Sequence, residues 1–474
     1  MLFPTTDFAM FFGVVFTLSW LLSPYPRRWK LFMISASYFF YGWWDWRFIF
    51  LLAASTIAAH LGALAIHRAR SDVGRKRAMV ISVAANLGFL GWFKYYGFAV
   101  VSLDNAAHAL GVGRLLPLLQ ITLPVGISFF TFMAISYVVD VYRGIIEPAP
   151  AIDTAVYLSF FPHIVAGPIV RGPELLPQIR ARRDPGKIDL PGACYLIFGG
   201  LFKKVVISSF VSTAIVNPVF NAPHSHTSIE ILFAVYGYAV QIYADFSGYT
   251  DMAIGIAMLL GLQLPQNFDA PYTATTLQDF WRRWHMTLSR WLRDYLYIPL
   301  GGSHGTEWTT YRNIMITMVL GGLWHGAAWT FAAWGAIHGI GQVVGHRRRL
   351  VRVRRGEPAV ARGPWRSVSQ RVVTFHVVCL GWVFFRADSF GTAWTLLVRL
   401  FTAFGPAPLV TPMVLLAISF GIATQYVPGQ FRDGAQRFFS GLRPAAQGAL
   451  LGLVLLVITT LGPPGVAPFI YYRF

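Results

Sequence analysis

The stretch LGGLWHGAAWTFAAWGAIHG, residues 320–339, places His325 and His338 inside a long apolar segment of the chain. An ionisable side chain at membrane depth is costly, and it therefore indicates a functional site. Trp324 forms a bulky wall on one side of His325, and Gly326 predicts an open approach on the other. Position alone leaves open whether His325 is a catalyst or a buried structural residue. His338 is expected to be structural.

The length of this apolar segment, about residues 313–345, limits its conformation. A single helix of this length would measure roughly 50 Å at 1.5 Å per residue, whereas the hydrocarbon core of a bilayer is about 30 Å thick. The segment is therefore expected to tilt, to break near Gly321 and Gly322, or to protrude from the membrane. In each case His325 is expected close to the middle of the membrane.

The composition indicates an integral membrane protein. Of the 474 residues, 55% are hydrophobic and 12% are charged, which is about half the charged fraction of a typical soluble domain. The formal charge of +19 does not predict nucleic-acid binding, because the arginines form short clusters between apolar runs, as expected for cytoplasmic loops. Two cysteines in apolar surroundings, Cys194 and Cys379, predict neither a disulfide framework nor a thiolate metal site.

Apolar runs of about 17 to 25 residues predict roughly 11 membrane crossings in an all-α polytopic protein. The first run, residues 8–22, lacks the basic flank and the cleavage site of a signal peptide, and it is expected to be retained. A tight turn is predicted at Trp43–Arg47, and long spans are predicted at about 190–219 and 229–262. The arginine-rich residues 347–371 are expected to form a cytoplasmic loop.

Two further stretches contain residues that are unusual in a membrane span. FFPHIVAGPIV, residues 160–170, contains two prolines and a glycine, which predicts a broken or re-entrant helix. YADFSGYTD, residues 243–251, contains Asp245 and Tyr249. These polar side chains are interpreted either as a satisfied polar knot that fixes helix packing or as the polar lining of a substrate path.

The stretch DFWRRWHMTLSRWLRDYLYIPLGG, residues 279–302, alternates tryptophans with arginines. This pattern predicts an amphipathic helix at the membrane interface, with His285 in its middle and its arginines extended towards lipid head groups.

Other catalytic patterns are missing from the sequence. It has no GxSxG elbow, and GGSHG at residues 301–305 lacks the lysine of a phosphate-binding loop. Zinc-site spacing is also missing, since His224 and His226 lie in a polar loop and make a poor pair, so no metal is expected. Transport remains open, because polar residues at membrane depth also line transport pathways. The chain shows no inverted-repeat hydropathy, which weighs against that alternative.

Six longer motifs follow one another along the chain. They are PHIVAGPIVR (162–171), GLFKKVVI (200–207), IYADFSGYTDMAIG (242–255), FWRRWHMTLSRWLRDYLYIPLGG (280–302), GGLWHGAAWTFAAWGAIHG (321–339) and WVFFRA (382–387). Together they resemble the membrane-bound O-acyltransferase (MBOAT) family. The resemblance is closest to its alginate O-acetylation membrane subunits, with the teichoic-acid D-alanyl transferases more distant. It extends from MLFPT at the first residue to FIYYRF at residues 469–474.

This resemblance implies a fold and a set of site residues. The fold would be a single membrane domain, residues 1–474, in which about 11 helices and further re-entrant or interfacial helices form a ring around a central tunnel. Its catalytic core would lie at about 116–345. His325 corresponds to the family's invariant active-site histidine, and His285 corresponds to a position that other members fill with Asn, Asp or His. The residues expected to bind substrate are Trp324, Arg282, Arg283, Asp245 and Tyr249.

The implied activity is transfer of an acyl group, most simply acetyl, from a cytoplasmic thioester across the membrane to a hydroxyl of an exported or cell-envelope polysaccharide. The donor would be acetyl-CoA or a carrier-protein thioester, and no permanently bound cofactor is expected. Expected partners are membrane lipids, the polysaccharide and a periplasmic or extracellular acetyltransferase, and the expected location is the bacterial inner membrane. The alternatives are transfer of D-alanyl or another acyl group, and a non-catalytic transporter of polysaccharide or lipid-linked sugar.

Overall fold

The fold is helical throughout the part of the chain that the structure describes. This computed structural model describes residues 1–111, 116–358, 363–462 and 470, and none of these residues lies in a β-strand. A helix bonds its backbone groups within its own segment, which a chain in hydrocarbon requires. The all-α prediction is therefore confirmed. Residues 359–362 of the predicted basic loop, and the FIYYRF motif apart from Ile470, lie outside the described residues.

The helices of at least seven residues differ widely in length. Their bounds are Thr6–Leu22, Pro26–Gly42, Phe48–Arg68, Asp72–Leu90, Tyr96–Ala109, Ile127–Tyr142, Ala151–Ser159, Gly172–Arg180, Leu190–Leu201, Ser228–Leu259, Leu277–Arg283, Met286–Leu292, Glu307–His325, Trp329–Arg354, Pro364–Arg386, Phe390–Thr402, Pro412–Ala423, Gly429–Gly441 and Pro444–Leu461. Wider π-helical turns occupy Gly91–Tyr95, Phe202–Ser208, Ser212–Val216 and Arg293–Tyr297. Short helical turns occupy Phe161–Ile164, Pro185–Lys187, Ser209–Val211, Asn217–Asn221, Pro223–Ser225, Pro271–Thr273 and Thr424–Tyr426.

Six helical segments among the described residues are long and apolar enough to cross a membrane, and a bent pair, Pro412–Tyr426 with Gly429–Gly441, raises the number to seven. The six are Phe48–Arg68, Asp72–Ala109, Leu190–Asn221, Ser228–Leu259, Pro364–Arg386 and Pro444–Leu461. A multi-pass helical membrane protein is thereby confirmed. The prediction of roughly 11 crossings, with a ring and a central tunnel, stays a prediction.

The chain divides into two compact units. The first comprises Met1–Ala193 and Ala253–Pro265, and the second comprises Cys194–Met252 and Gln266–Phe474. The single domain over residues 1–474 stays a prediction, and each unit is described separately below.

The first unit contains the predicted tight turn and the predicted broken helix. Trp43–Arg47 separates two helices, as expected, and Asp45 accepts hydrogen bonds from Arg47 within that turn. Residues 160–170 are all buried and contain a single helical turn, Phe161–Ile164, which confirms the break. Gly167 allows this compact path, because a Cβ atom there would lie 2.4 Å from the Cα atom of His163.

In the second unit, helices Glu307–His325 and Trp329–Arg354 form an antiparallel hairpin. Its turn consists of the residues between them, Gly326–Ala328, and its open end is joined by an ion pair between Glu307 and Arg354. The break therefore lies after His325 and not near Gly321 and Gly322, where the sequence predicted it. A 19-residue first arm is about 28 Å long at 1.5 Å per residue, so the turn resolves the length conflict of one continuous helix.

Glycines bring the two arms of the hairpin into backbone contact. A Cβ atom on Gly322 would lie 2.2 Å from the carbonyl oxygen of Phe331, and one on Gly335 would lie 2.3 Å from that of Met318. Small residues permit this approach between helices in membranes. Gly322 thus serves as a packing residue and not as the point of the break.

The basic segment is more helical than the sequence suggested. The hairpin continues to Arg354 and the next helix begins at Pro364, so most arginines of the predicted loop 347–371 lie on helix ends. Arginine has a high helix propensity, and a helix can therefore continue beyond its apolar part. The prediction of one long loop was wrong on this point.

We expect Gly335→Ala to destabilise the protein by about 1–3 kcal/mol, because the added methyl must displace the Met318 carbonyl in a well-packed contact. The apparent Tm of the detergent-solubilised protein measures this loss. Gly345→Ala, on the same helix but with nothing within 4 Å of the new Cβ atom, is the control. Equal Tm values for both variants would contradict the close glycine contact.

Candidate active site

His325 is the last residue of the hairpin's first arm, and the chain leaves the helix at Gly326 in an extended conformation. The side chain is buried, with 2% exposure. Three aromatic rings surround its imidazole at centroid distances of 5.0, 5.0 and 5.3 Å: Trp324, Trp334 and Phe385. The turn of the hairpin therefore places His325 inside an aromatic enclosure.

Gly326 does not provide the open approach that the sequence predicted. A Cβ atom on Gly326 would lie 2.0 Å from the ring of Phe331, which itself packs against Phe385 at 4.9 Å between centroids. The small residue makes room for a neighbouring ring of the protein. The space beside the Gly326 Cα atom is therefore filled by the Phe331 ring and is not open.

His285 lies at a break between helices Leu277–Arg283 and Met286–Leu292, and its φ of 42° is in the left-handed region. Such a conformation in a residue other than glycine costs roughly 1–3 kcal/mol and persists only where the surroundings enforce it. The break turns His285 inwards, where it is fully buried. The stretch is therefore not one continuous helix, as the sequence predicted, whereas its interfacial location stays a prediction. Its three tryptophans are also buried, at positions 281, 284 and 291.

The structure brings the two predicted catalytic histidines together. The ring centroids of His285 and His325 are 6.4 Å apart. Trp324 contacts both rings, at 5.0 Å from His325 and 5.9 Å from His285, and Phe246 packs edge-on against His285 at 4.7 Å. Both imidazoles therefore lie in one buried aromatic cluster.

The chain matches the MBOAT family, described as the membrane-bound O-acyltransferase family, over residues 53–347, which include both histidines. The chain belongs to the MBOAT family. "Probable alginate O-acetylase AlgI" of Azotobacter vinelandii is 38% identical over 407 residues, 85% of this chain and 78% of that protein. "Peptidoglycan O-acetyltransferase" of Helicobacter pylori is 36% identical over 392 residues, 77% of this chain and 72% of that protein.

A more distant relative is "Teichoic acid D-alanyltransferase" of Bacillus subtilis, which is 28% identical over 275 residues, 56% of this chain and 69% of that protein. The predicted resemblance to the MBOAT family is thereby confirmed. The alginate O-acetylase is also the more similar relative and the teichoic acid D-alanyltransferase the more distant one, as predicted. The chain is a multi-pass membrane enzyme of the O-acyltransferase class.

Among the predicted substrate-binding residues of this MBOAT enzyme, Asp245 takes part in a buried polar network. One carboxylate oxygen accepts hydrogen bonds from Lys204 and from the Ser208 hydroxyl at 3.4 Å, and the other accepts from the Ile470 backbone N–H at 2.8 Å. These contacts favour the polar knot over the lining of a substrate path. Tyr249 is fully buried one turn further along the same helix.

The two arginines predicted to bind the donor occupy different environments. Arg282 is exposed. Arg283 forms ion pairs with Asp279 at 2.9 Å and with Asp269 at 3.6 Å. The charge of Arg283 is therefore balanced within the chain, and of the two arginines Arg282 is better placed to meet a phosphate.

His338 contributes to the aromatic packing behind His325. It is fully buried, its Nδ1 atom accepts a hydrogen bond from the Trp281 indole at 3.2 Å, and its ring lies 4.7 Å from that of Trp334. Trp334 in turn contacts His325 at 5.0 Å. These contacts favour the structural role expected for His338.

Several residues of this site were not singled out by the sequence. Phe385 lies in the WVFFRA motif and Trp334 lies in the stretch 320–339, so both motifs could have indicated these residues. Asn267, whose side chain contacts His285, gave no signal, because it lies outside the recognised motifs, in the connection between Ser228–Leu259 and Leu277–Arg283. Only the folded chain brings it to the site.

The buried Asp245 network predicts a large loss of stability for Lys204→Ala. Removing one partner leaves a buried carboxylate charge, which costs about 3–5 kcal/mol and lowers the apparent Tm in detergent. The double variant Lys204→Met with Asp245→Asn should recover most of this loss, since the charge is gone while the amide oxygen still accepts from Ile470.

Lys203→Met is the control, because Lys203 pairs with Asp251 where both side chains are about one quarter exposed. The Asp251 carboxylate left behind is less buried than that of Asp245, so the loss of Tm should be smaller than for Lys204→Ala. A substrate-binding role for Asp245 would give another result: Asp245→Asn alone would raise KM without lowering the Tm.

Proposed function

We propose that this MBOAT enzyme transfers an acyl group, most simply acetyl, from a cytoplasmic thioester to a hydroxyl for O-acetylation of an exported or cell-envelope polysaccharide. The observation that carries the proposal is the buried pair of His325 and His285 within one aromatic enclosure. The relatives named as alginate O-acetylase and peptidoglycan O-acetyltransferase support acetyl as the acyl group and polysaccharide as the acceptor.

In the proposed reaction His325 is the general base, a role that suits an imidazole near neutral pH. It accepts the proton of the acceptor hydroxyl, and the hydroxyl oxygen forms a bond to the thioester carbonyl carbon. The C–S bond then breaks, and the departing thiolate takes the proton from His325. His285 orients either the donor or the oxyanion formed at the carbonyl.

The aromatic enclosure suits this chemistry for two physical reasons. Electrostatic interactions are stronger where water is excluded, and a dry site protects a reactive thioester from hydrolysis. Trp324 contacts both histidine rings, and we propose that it forms the wall against which the acyl group lies.

We further propose a bacterial inner-membrane location, a donor that is acetyl-CoA or a carrier-protein thioester, and a periplasmic or extracellular acetyltransferase partner that completes transfer to the polysaccharide. Membrane lipids surround the apolar spans. Transfer of D-alanyl is the second candidate, supported by the Bacillus subtilis relative. Acetyl is favoured, because the relatives named as O-acetylase or O-acetyltransferase are more similar to this chain than the D-alanyltransferase is. A transporter without catalysis is disfavoured by membership of an acyltransferase family.

The proposal predicts that His325→Ala abolishes O-acetylation while the protein is still expressed and inserted. Acyl esters on envelope polymers, compared between a deletion strain and strains that carry each variant, measure this loss. His304→Ala is the control, because His304 is an exposed histidine before the hairpin and should leave acetylation unchanged. Wild-type ester content with His325→Ala would overturn the assignment.

Arg282→Ala should raise the apparent KM for the thioester donor several-fold, since one phosphate contact to an exposed cation is lost, and should leave kcat nearly unchanged. An ion pair at an exposed site contributes up to about 1 kcal/mol, or roughly fivefold in affinity. Donor-concentration series with purified enzyme measure KM. An unchanged KM removes Arg282 from the donor site.

A further inference from the structure

The Asn267 side chain is buried beside the proposed catalytic pair, with 1% exposure. Its Oδ1 atom lies within hydrogen-bond distance of three groups: His285 Nδ1 at 3.1 Å, the Thr287 backbone N–H at 3.1 Å and the Thr287 hydroxyl at 2.9 Å. Its backbone carbonyl also accepts from the Met286 N–H at 2.9 Å. Asn267 therefore contacts the chain at and directly after the left-handed turn.

The backbone N–H of Thr287 settles the orientation of the Asn267 amide. A backbone N–H can only donate, so the side-chain atom that it meets must be the amide oxygen and not the nitrogen. The amide oxygen can only accept. His285 must consequently donate to it, and Nδ1 must carry a proton. A neutral imidazole carries one proton, so its Nε2 atom is then a hydrogen-bond acceptor.

The same contacts explain why the His285 side chain is not needed as a cap for the helix that follows it. His285 occupies the N-cap position of helix Met286–Leu292, but its side chain does not cap that helix. Asn267 performs the capping from a distance, because its oxygen accepts the N–H of Thr287 in the first turn. The His285 ring is thus left facing Trp324 and His325.

We propose that Asn267 is a positioning residue that holds neutral His285 with its proton on Nδ1 and so presents Nε2 as an acceptor. The inference rests on the proposed acyl transfer and decides between the two roles given above for His285. A neutral His285 in this tautomer cannot donate from Nε2 to an oxyanion. It accepts a hydrogen bond from a substrate N–H or O–H and orients the donor.

This assignment matches both candidate donors. In both coenzyme A and carrier-protein donors, the acyl thioester is at the end of an arm that contains amide N–H groups. An imidazole nitrogen that accepts a hydrogen bond is complementary to such an N–H group. The proton taken from the acceptor hydroxyl still passes to His325 and then to the departing thiolate. His285 gains and loses no proton in the cycle.

The tautomer is tested directly by 15N NMR of the wild-type protein with ring-labelled histidine. The His285 signals are identified by difference from the His285→Gln protein, at a pH where His285 is neutral. We expect a protonated Nδ1 and a non-protonated Nε2. A protonated Nε2 beside a bare Nδ1 would overturn the proposal, whatever the enzyme's activity.

Three variants separate positioning from a purely structural role. Asn267→Ala removes the acceptor for His285 and should lower kcat/KM about tenfold, the equivalent of one hydrogen bond. Asn267→Asp keeps an acceptor and should restore most of the activity at a pH high enough for its His285 to be neutral. Its carboxylate favours the imidazolium form of His285, so the acidic limb of its pH–rate profile should move to higher pH. Thr287→Val is the matched control, because it removes one hydrogen bond to Asn267 and leaves the His285 contact in place.

Equal losses for Asn267→Ala and Thr287→Val, or no recovery in Asn267→Asp even at the alkaline end of the pH–rate profile, would show that Asn267 acts only on the fold. If Asn267→Ala does not fold, the aspartate variant and the wild-type NMR signals still decide the question. Failure of the acyl-transfer proposal is recognised separately, because His325→Ala would then retain activity while the tautomer of His285 would be unaffected.

Discussion

The left-handed turn at His285 is the constraint on which the site of this MBOAT enzyme depends. Without it, Leu277–Arg283 and Met286–Leu292 would continue as one helix, and His285 would follow the helical course that the alternating sequence predicts. The strain is held by hydrogen bonds from the following residues to Asn267. One asparagine in the connection between two helices therefore fixes the position of a ring 18 residues away in sequence.

Features that depend on local sequence could be predicted. The helical fold, the turn at Trp43–Arg47 and the broken helix at residues 160–170 follow from apolar run length and from proline and glycine. His325 was singled out because a histidine within an apolar stretch is unusual, and its catalytic role stays a prediction. In each of these cases the decisive residues are neighbours along the chain.

Features that depend on distant contacts could not be predicted. The small residue Gly326 predicted open space beside His325. The Phe331 ring fills that space, because the hairpin turns there. The tryptophans after residue 279 have the spacing of an interfacial helix, and tertiary burial overrides that pattern. The partners of Asp245 lie 41 and 225 residues away in sequence, so no local pattern distinguishes a polar knot from a substrate path.

The bond between Asp245 and the Ile470 N–H has a consequence for how this protein is made. Helix Ser228–Leu259 carries both Asp245 and Phe246, the ring that packs against His285. Ribosomes produce the chain from its N-terminus, so this helix exists long before residue 470 is synthesised. During that interval the Asp245 carboxylate lacks one of its hydrogen-bond donors. The helix beside the site therefore reaches its final hydrogen bonding only late in synthesis, which links maturation of the site to near-completion of translation.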